Sequence, residues 1–299
     1  MSPAKAPHRR GATAVLLLPF LAFFTLVYLV PIGYAAYQSL FRTQRSGLGL
    51  APPTTVFSGI DNYLKVLSDS AFLTGVGRVL LSGAVQVPLM LGFALLLALL
   101  LDSGAARFAK FFRLAYFLPY AIPGVIAAIL WSFQYVKGIS PLLDGLAALG
   151  IDAPLLKPGW VLASIGNIVT WSWTGYNMLV LYTALRAIPK ELYQAAQLDG
   201  CGDLRIAWHI KIPLVRPALI MTGVFSIIGT LQLFNEPSVL KPIAAGSIDT
   251  GYTPSMLAYQ AAFGANDYNI AATIAVVLAL TTAVLSFTFL KLSQRGTTS

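Results

Sequence analysis

Few residues in this chain could do chemistry. Cys201 is the only cysteine, and His8 and His209, the only histidines, are not at a ligand spacing. That leaves no intrachain disulfide and no cysteine-based metal site. The sequence holds no G-x-x-x-x-G-K-[ST] phosphate loop and no G-x-S-x-G elbow. GCGDLR (200–205) begins like a dinucleotide loop but lacks the third glycine and a preceding strand. Covalent catalysis and nucleotide hydrolysis are not expected of the chain, so any energy must come from a partner. What remains is recognition by amides, hydroxyls and aromatic rings set within apolar runs. Thr170, Trp173, Thr174 and Asn177 fall on one helical face. Tyr120 lies between Pro119 and Pro123, each of which removes a backbone hydrogen bond. Gln232, Asn235 and Glu236 follow Gly229. These segments offer hydroxyl partners and aromatic faces, the combination that a sugar needs for its hydroxyls and its C–H surface.

Each of these residues has a purely structural alternative. Tyr120 can anchor at a membrane interface. Trp171 and Trp173 can pack between helices, and Asn177 can bridge two of them. Glu236 can sit among headgroups at a span end, and Arg78 can snorkel.

The elements that must position these groups are membrane helices. Of the 299 residues 57% are hydrophobic and 10% charged, with a mean hydropathy of +0.74. A water-soluble chain of this size could not bury that much apolar surface in one core. Charge-free runs cover 12–30, 79–101, 114–136, 159–185, 217–235 and 268–290. About 20 apolar residues suffice for a spanning helix, so the expected fold is an all-α membrane protein with six spans in a single domain, 1–299. The first run follows Lys5, Arg9 and Arg10. It exceeds the roughly 7–15 residues of a cleaved signal core, so an uncleaved span is expected.

Charge sets the expected orientation. The N-terminus, the 102–113 and 186–216 loops and the C-terminus hold 13 bases against four acids; the other loops hold six bases against seven acids. The positive-inside rule then places both termini and the 186–216 loop in the cytoplasm. The net charge of +9 reads as topology. No basic patch with interleaved aromatics suggests a nucleic-acid partner.

Within that loop, Pro189 suits a first helical position, and 190–198 holds mostly good helix formers. Leu192, Ala195 and Ala196 make a small apolar face, flat enough for another surface to approach. Gly200 and Gly202 end the helix, and Asp203 is the expected N-cap of a second one over 204–211. Pro213 and Pro217 are expected to close the unit before the next span. An amphipathic linker lying on the membrane surface is the plain alternative.

The order of residues goes further. YQAAQLDGCGDLRIAWHIKIPLVRP (193–217) resembles the EAA loop of permease subunits in binding-protein-dependent ABC importers, with Gln194, Ala195, Ala196, Asp199, Gly200, Ile210, Pro213 and Pro217 at the matching positions. LRAIPKELY (185–193) resembles the usual approach to that loop, and GIDNYLKVL (59–67) the segment before the second span in sugar-type permeases. RLAYFLPYAIPGVIAAILW (113–131) and VTWSWTGYNMLVLYTAL (169–185) resemble their third and fourth spans. The likeness is to the larger permease subunit of the maltose importer and its relatives for other sugars and glycerol phosphates. Three departures stand out: Gln194 replaces the usual Glu and its salt bridge, LKPIAAGS (240–247) replaces T-x-G-G-P, and the large periplasmic insertion is absent.

The resemblance implies an ATP-driven importer of a carbohydrate across a bacterial inner membrane. It implies a type I importer permease fold and docking of the loop, through Gln194, Ala195, Ala196, Asp199 and Gly200, in a cleft of an ATPase subunit. It implies a sugar site at Tyr120, Gly124, Trp173 and the 232–236 stretch. Its partners are a second, homologous permease subunit, two ATP-binding cassette ATPase subunits that hold ATP and magnesium, and an extracytoplasmic solute-binding protein. The chain itself would carry no cofactor and would not be an enzyme. Three other readings stay open. A secondary transporter would want carboxylates within spans, and Glu236 is the one candidate. A membrane assembly protein is disfavoured by the polar stripe and paired prolines. A glycerol-phosphate importer would want a basic group at mid-membrane, where only Arg78 is near, so a neutral sugar is favoured.

Overall fold

The computed structural model describes residues 10–44, 54–103 and 108–295. Lys5, Arg9, Arg45 and Arg107 of the charge pattern, and His8, lie outside the described residues.

α1 (Arg10–Phe24) passes through a π-helical turn (Thr25–Leu29) into α2 (Val30–Gln38). Pro31 explains the turn. A proline ring clashes with the carbonyl four residues back, here that of Val27, and the wider turn moves it aside. Val30 N–H accordingly bonds Thr25 O. β1 (Phe41–Gln44) and β2 (Thr54–Phe57) then pair antiparallel, with Phe41 opposite Phe57. α3 (Asp61–Leu67) leads into α4 (Ser70–Asp102), capped by Asp69, whose carboxylate accepts from Ala71 N–H. α4 starts well before the expected boundary at 79 and takes in Arg78. The Arg78 guanidinium lies 4.5 Å over the Tyr252 ring and donates to Tyr252 O, so protein holds it and it does not snorkel to headgroups.

The run 114–136 forms two helices, α5 (Ala109–Ala121) and α6 (Gly124–Gln134), bent by 97°. Pro123 drives the preceding Ile122 into an extended conformation, ψ 127°. The prolines therefore break this span outright. α7 (Pro141–Ala148), capped by Ser140, precedes α8 (Val161–Arg186). α8 is the centre of the bundle, packing against α4, α5 and α11 (Ile212–Leu231). A Cβ on Gly175 would overlap the carbonyl oxygen of Tyr116 in α5, so only glycine permits this approach.

α9 (Lys190–Leu198) and α10 (Asp203–Ile206) form the expected helix pair. Gly202 holds the N-cap position expected for Asp203, and no side chain caps the helix. A second π turn (Ala207–Lys211) then carries α10 directly into α11. Pro213 follows this turn in the register of Pro31 after the first. The wide turn absorbs Pro213, and Pro217 lies inside α11, so the prolines do not close the unit. α12 (Asn235–Leu240), α13 (Pro254–Tyr259) and α14 (Tyr268–Arg295) are the last helices of the described residues. The 240–247 departure is anchored at two points: Leu240 and Ala244 are buried, in one cluster with the following Ile248 and with Val161 and Ile165.

Among the described residues four helices are long and apolar enough to span a membrane, five if the bent pair counts as one. α8, the fourth expected span, is not among them. Asn167, Thr170, Ser172, Thr174 and Asn177 lower its apolarity; Ser172 and Asn177 are buried, Thr170 and Thr174 half-buried, and Asn167 exposed. The first span is its opposite: the Val15–Gln38 window is 0% buried, and only its α2 end packs on α14.

Candidate functional site

Where α5 breaks, a cavity of about 410 Å³ opens among α4, α5, α8, α11 and the start of α12. Its volume lies in the roughly 300–1,000 Å³ range of small-molecule sites. Tyr120, in the last turn of α5, stacks on Tyr176 at 4.8 Å and 25° and meets Trp173 edge-on at 5.2 Å. α8 sets this wall, since Trp173 and Tyr176 are three residues apart on one face. Facing groups come from the end of α11 and beyond. Ser226 and Thr230 donate to Thr222 O and Ser226 O of their own helix, keeping lone pairs for an incoming donor. Gln232, Asn235 and Glu236 complete the polar rim.

Five of the sequence candidates, Tyr120, Trp173, Gln232, Asn235 and Glu236, thus line one cavity. Gly124 is at its edge: a Cβ there would sit 3.8 Å from both Asn235 Nδ2 and Glu236 Oε1. Asn177 does not line it; the residue is 2% exposed and Nδ2 has no hydrogen-bond partner among the described residues. The helical face that joined Thr170 to Trp173 is divided. Thr170 lines a separate groove of about 440 Å³ between α4 and α8, and Thr174 Oγ1 donates to Thr170 O. Sequence reasoning missed Gln86 and Tyr176. The signals were a lone amide in a charge-free run and an aromatic one turn from Trp173.

Away from the cavity, α9 ends in a Schellman arrangement: Cys201 N–H bonds Ala196 O, Gly200 N–H bonds Gln197 O, and Gly200 has φ +81°. Gln194, Ala195, Asp199 and Gly200 are exposed, whereas Ala196 is buried. The pair expected to share one flat face is therefore split. The exposed apolar groups are larger: Leu198 at 90%, Leu204 at 86% and Trp208 at 70%. The corner is tied to the bundle by Lys211, whose Nζ lies 2.6 Å from Asp102 Oδ2 at the end of α4 and 5.0 Å over the Tyr193 ring. Burial, with the nearby Asp102 carboxylate, pushes the Tyr193 phenol above its ordinary pKa, while Arg186 opposes the shift.

Known proteins resemble this chain along most of its length. The lactose transport system permease protein LacF of Rhizobium radiobacter is 32% identical, over 90% of this chain and 89% of its own. The trehalose transport system permease protein SugA of Mycobacterium tuberculosis is 30% identical, over 95% and 89%. The fold matches a chain of a bacterial ABC transporter that imports the acidic polysaccharide alginate, with a TM-score of 0.80 over 96% of both chains at 20% identity. Residues 90–297 match the family model described as binding-protein-dependent transport system inner membrane component. The chain belongs to this family of importer permeases.

Proposed function

We infer that the chain is the translocating subunit of an ATP-driven importer of a neutral carbohydrate, with six spans, α8 among them, and both termini in the cytoplasm. The observation that carries this reading is the cavity beside the broken span, with stacked aromatics on one wall and amides and hydroxyls on the others. None of its lining residues is basic. A phosphate ester would need such a group, and Arg78 is engaged by Tyr252. Relatives named for lactose and trehalose support a di- or oligosaccharide.

The solute would stack on Tyr120 and Trp173 and hydrogen-bond Gln232, Asn235 and Glu236. Gly124 would keep the edge open, and Asn177 would offer its unpaired amide when α8 shifts. A second permease subunit would complete the pathway and cover α1. Two ATPase subunits, holding ATP and magnesium, would receive the corner formed by Gln194, Ala195, Ala196, Asp199 and Gly200. A solute-binding protein would deliver from outside. Closure of the ATPases would push on α9 and α10, and the continuous α10–α11 helix would carry that motion to the cavity rim. The test is purification of the tagged chain from its own membranes in mild detergent. A second multi-span subunit and a P-loop ATPase are expected with it. Recovery of the chain alone, from membranes where an ion gradient drives uptake, would overturn the reading in favour of a secondary transporter.

A further inference from the structure

The sequence candidates lie on α5, α6, α8 and the segment after α11; none is on α4. Yet α4 sends one amide to the cavity. Gln86 lines it, is 6% exposed, and its Nε2 has no hydrogen-bond partner among the described residues. A buried amide nitrogen left unpaired is destabilising, and a side chain of similar shape without polar atoms would remove that cost. Gln232 and Asn235 differ, because both are exposed and can be hydrated in an empty cavity. Gln86 Nε2, shut off from solvent, gains a partner when a polar group reaches it from the cavity side. It is also the one residue that lines both the cavity and the groove between α4 and α8. Across that boundary it faces Gly166 of α8, where a Cβ would make an ordinary 3.9 Å contact with Gln86 Cγ.

We propose that Gln86 is a solute ligand and specificity-determining residue of this carrier, its amide hydrogen-bonding a hydroxyl of the carbohydrate from the α4 side of the cavity. The inference rests on the reading of the cavity as the solute path. A primary amide offers two donors and an acceptor, which suits one hydroxyl, or two neighbouring ones that each give and take a hydrogen bond. Loss of that hydroxyl from the sugar leaves the amide unpaired again. Sites built to bond a hydroxyl discriminate strongly against analogues that lack it.

The test uses the whole importer in proteoliposomes with ATP inside and its binding protein outside. The probes are a radiolabelled disaccharide that the wild type imports, chosen from lactose and trehalose, and its monodeoxy analogues. The same binding protein serves every variant, so the ratio of variant to wild type for each sugar cancels its selectivity. Gln86→Met is expected to lower uptake of the parent sugar at sub-saturating concentration about tenfold. For one monodeoxy analogue, that lacking the bound hydroxyl, wild type and variant should be equal. Gln86→Asn, which keeps the amide but withdraws it by one methylene, should show the same pattern at equal membrane abundance. Uptake at the wild-type rate for every sugar would overturn the proposal, as would a uniform loss across all analogues, the mark of a packing role. Tyr120→Ala, assayed beside them, separates the two levels. If it is impaired while the Gln86 variants are normal, only Gln86 loses its role. If it too is normal, the solute-path reading falls with it.

Discussion

Gly200 shows how one residue can govern a surface it barely forms. Nothing lies within 4 Å of a Cβ built there, so its requirement is conformational, set by φ +81°. An L residue in the left-handed region costs about 1–2 kcal/mol, and a β-branched one more. Gly200→Val is therefore expected to leave the chain in the membrane and abolish uptake, whereas Gly200→Asn, which tolerates positive φ, keeps most of it. Normal uptake by the valine variant would remove the coupling role of the corner, and equal failure of both would assign the effect to size. At the cavity, Tyr120→Ala should lower uptake about tenfold, since it removes a stacked aromatic wall. Immunoblots of membranes and initial rates check both predictions. Residue types alone pointed to Tyr120 and Trp173, whereas Gln86 went unread because a single amide in an apolar run carries no period.

At the scale of elements, the bundle depends on close approaches and on struts. α5 and α8 meet with no room for a methyl at Gly175. Gly175→Ala should therefore deplete the folded protein from membranes, while Gly124→Ala, with ordinary 3.8 Å contacts, should not. Equal abundance of the two variants would contradict the α5–α8 packing. The Asp102–Lys211 pair, with side chains 5% and 12% exposed, holds the start of α11 to the end of α4. Removing one partner of a buried pair typically costs about 3–5 kcal/mol, whereas replacing both with apolar residues is often neutral. Lys211→Met should accordingly lower thermal stability in detergent, and Asp102→Leu with Lys211→Met should restore most of it. Additive losses in the double variant would mean that the two side chains do not interact. These devices were only partly legible. Proline at 123 announced a weakened span, but the 97° break depends on how α5 and α6 each find neighbours. The π turns before Pro31 and Pro213 needed the structure, because sequence alone does not say whether a proline ends a helix or is absorbed by it.

At the scale of the molecule, charge-free runs located most of the long helices because lipid imposes a plain length rule on them. α8 obeys a different rule: packed on α4, α5 and α11, it buries Ser164, Ser172 and Asn177, and such polar residues keep it out of the set of long apolar helices. The start and end of α9 were readable because Pro189 and Gly200 mark them locally, whereas Pro213 and Pro217 are absorbed into α11 and Asp203 yields the cap position to Gly202. The cavity was read only in pieces, since its wall is assembled from residues as far apart as 86 and 236. The central claim is that ATP, through the corner, drives a neutral sugar past Tyr120 and Trp173. Its most direct test is uptake, by the purified complex in proteoliposomes, of the carbohydrate that its binding protein retains, with binding protein outside and ATP or a non-hydrolysable analogue inside. The account predicts accumulation with ATP, unaffected by a protonophore, and none with the analogue. Accumulation driven by a proton or sodium gradient without ATP would contradict it.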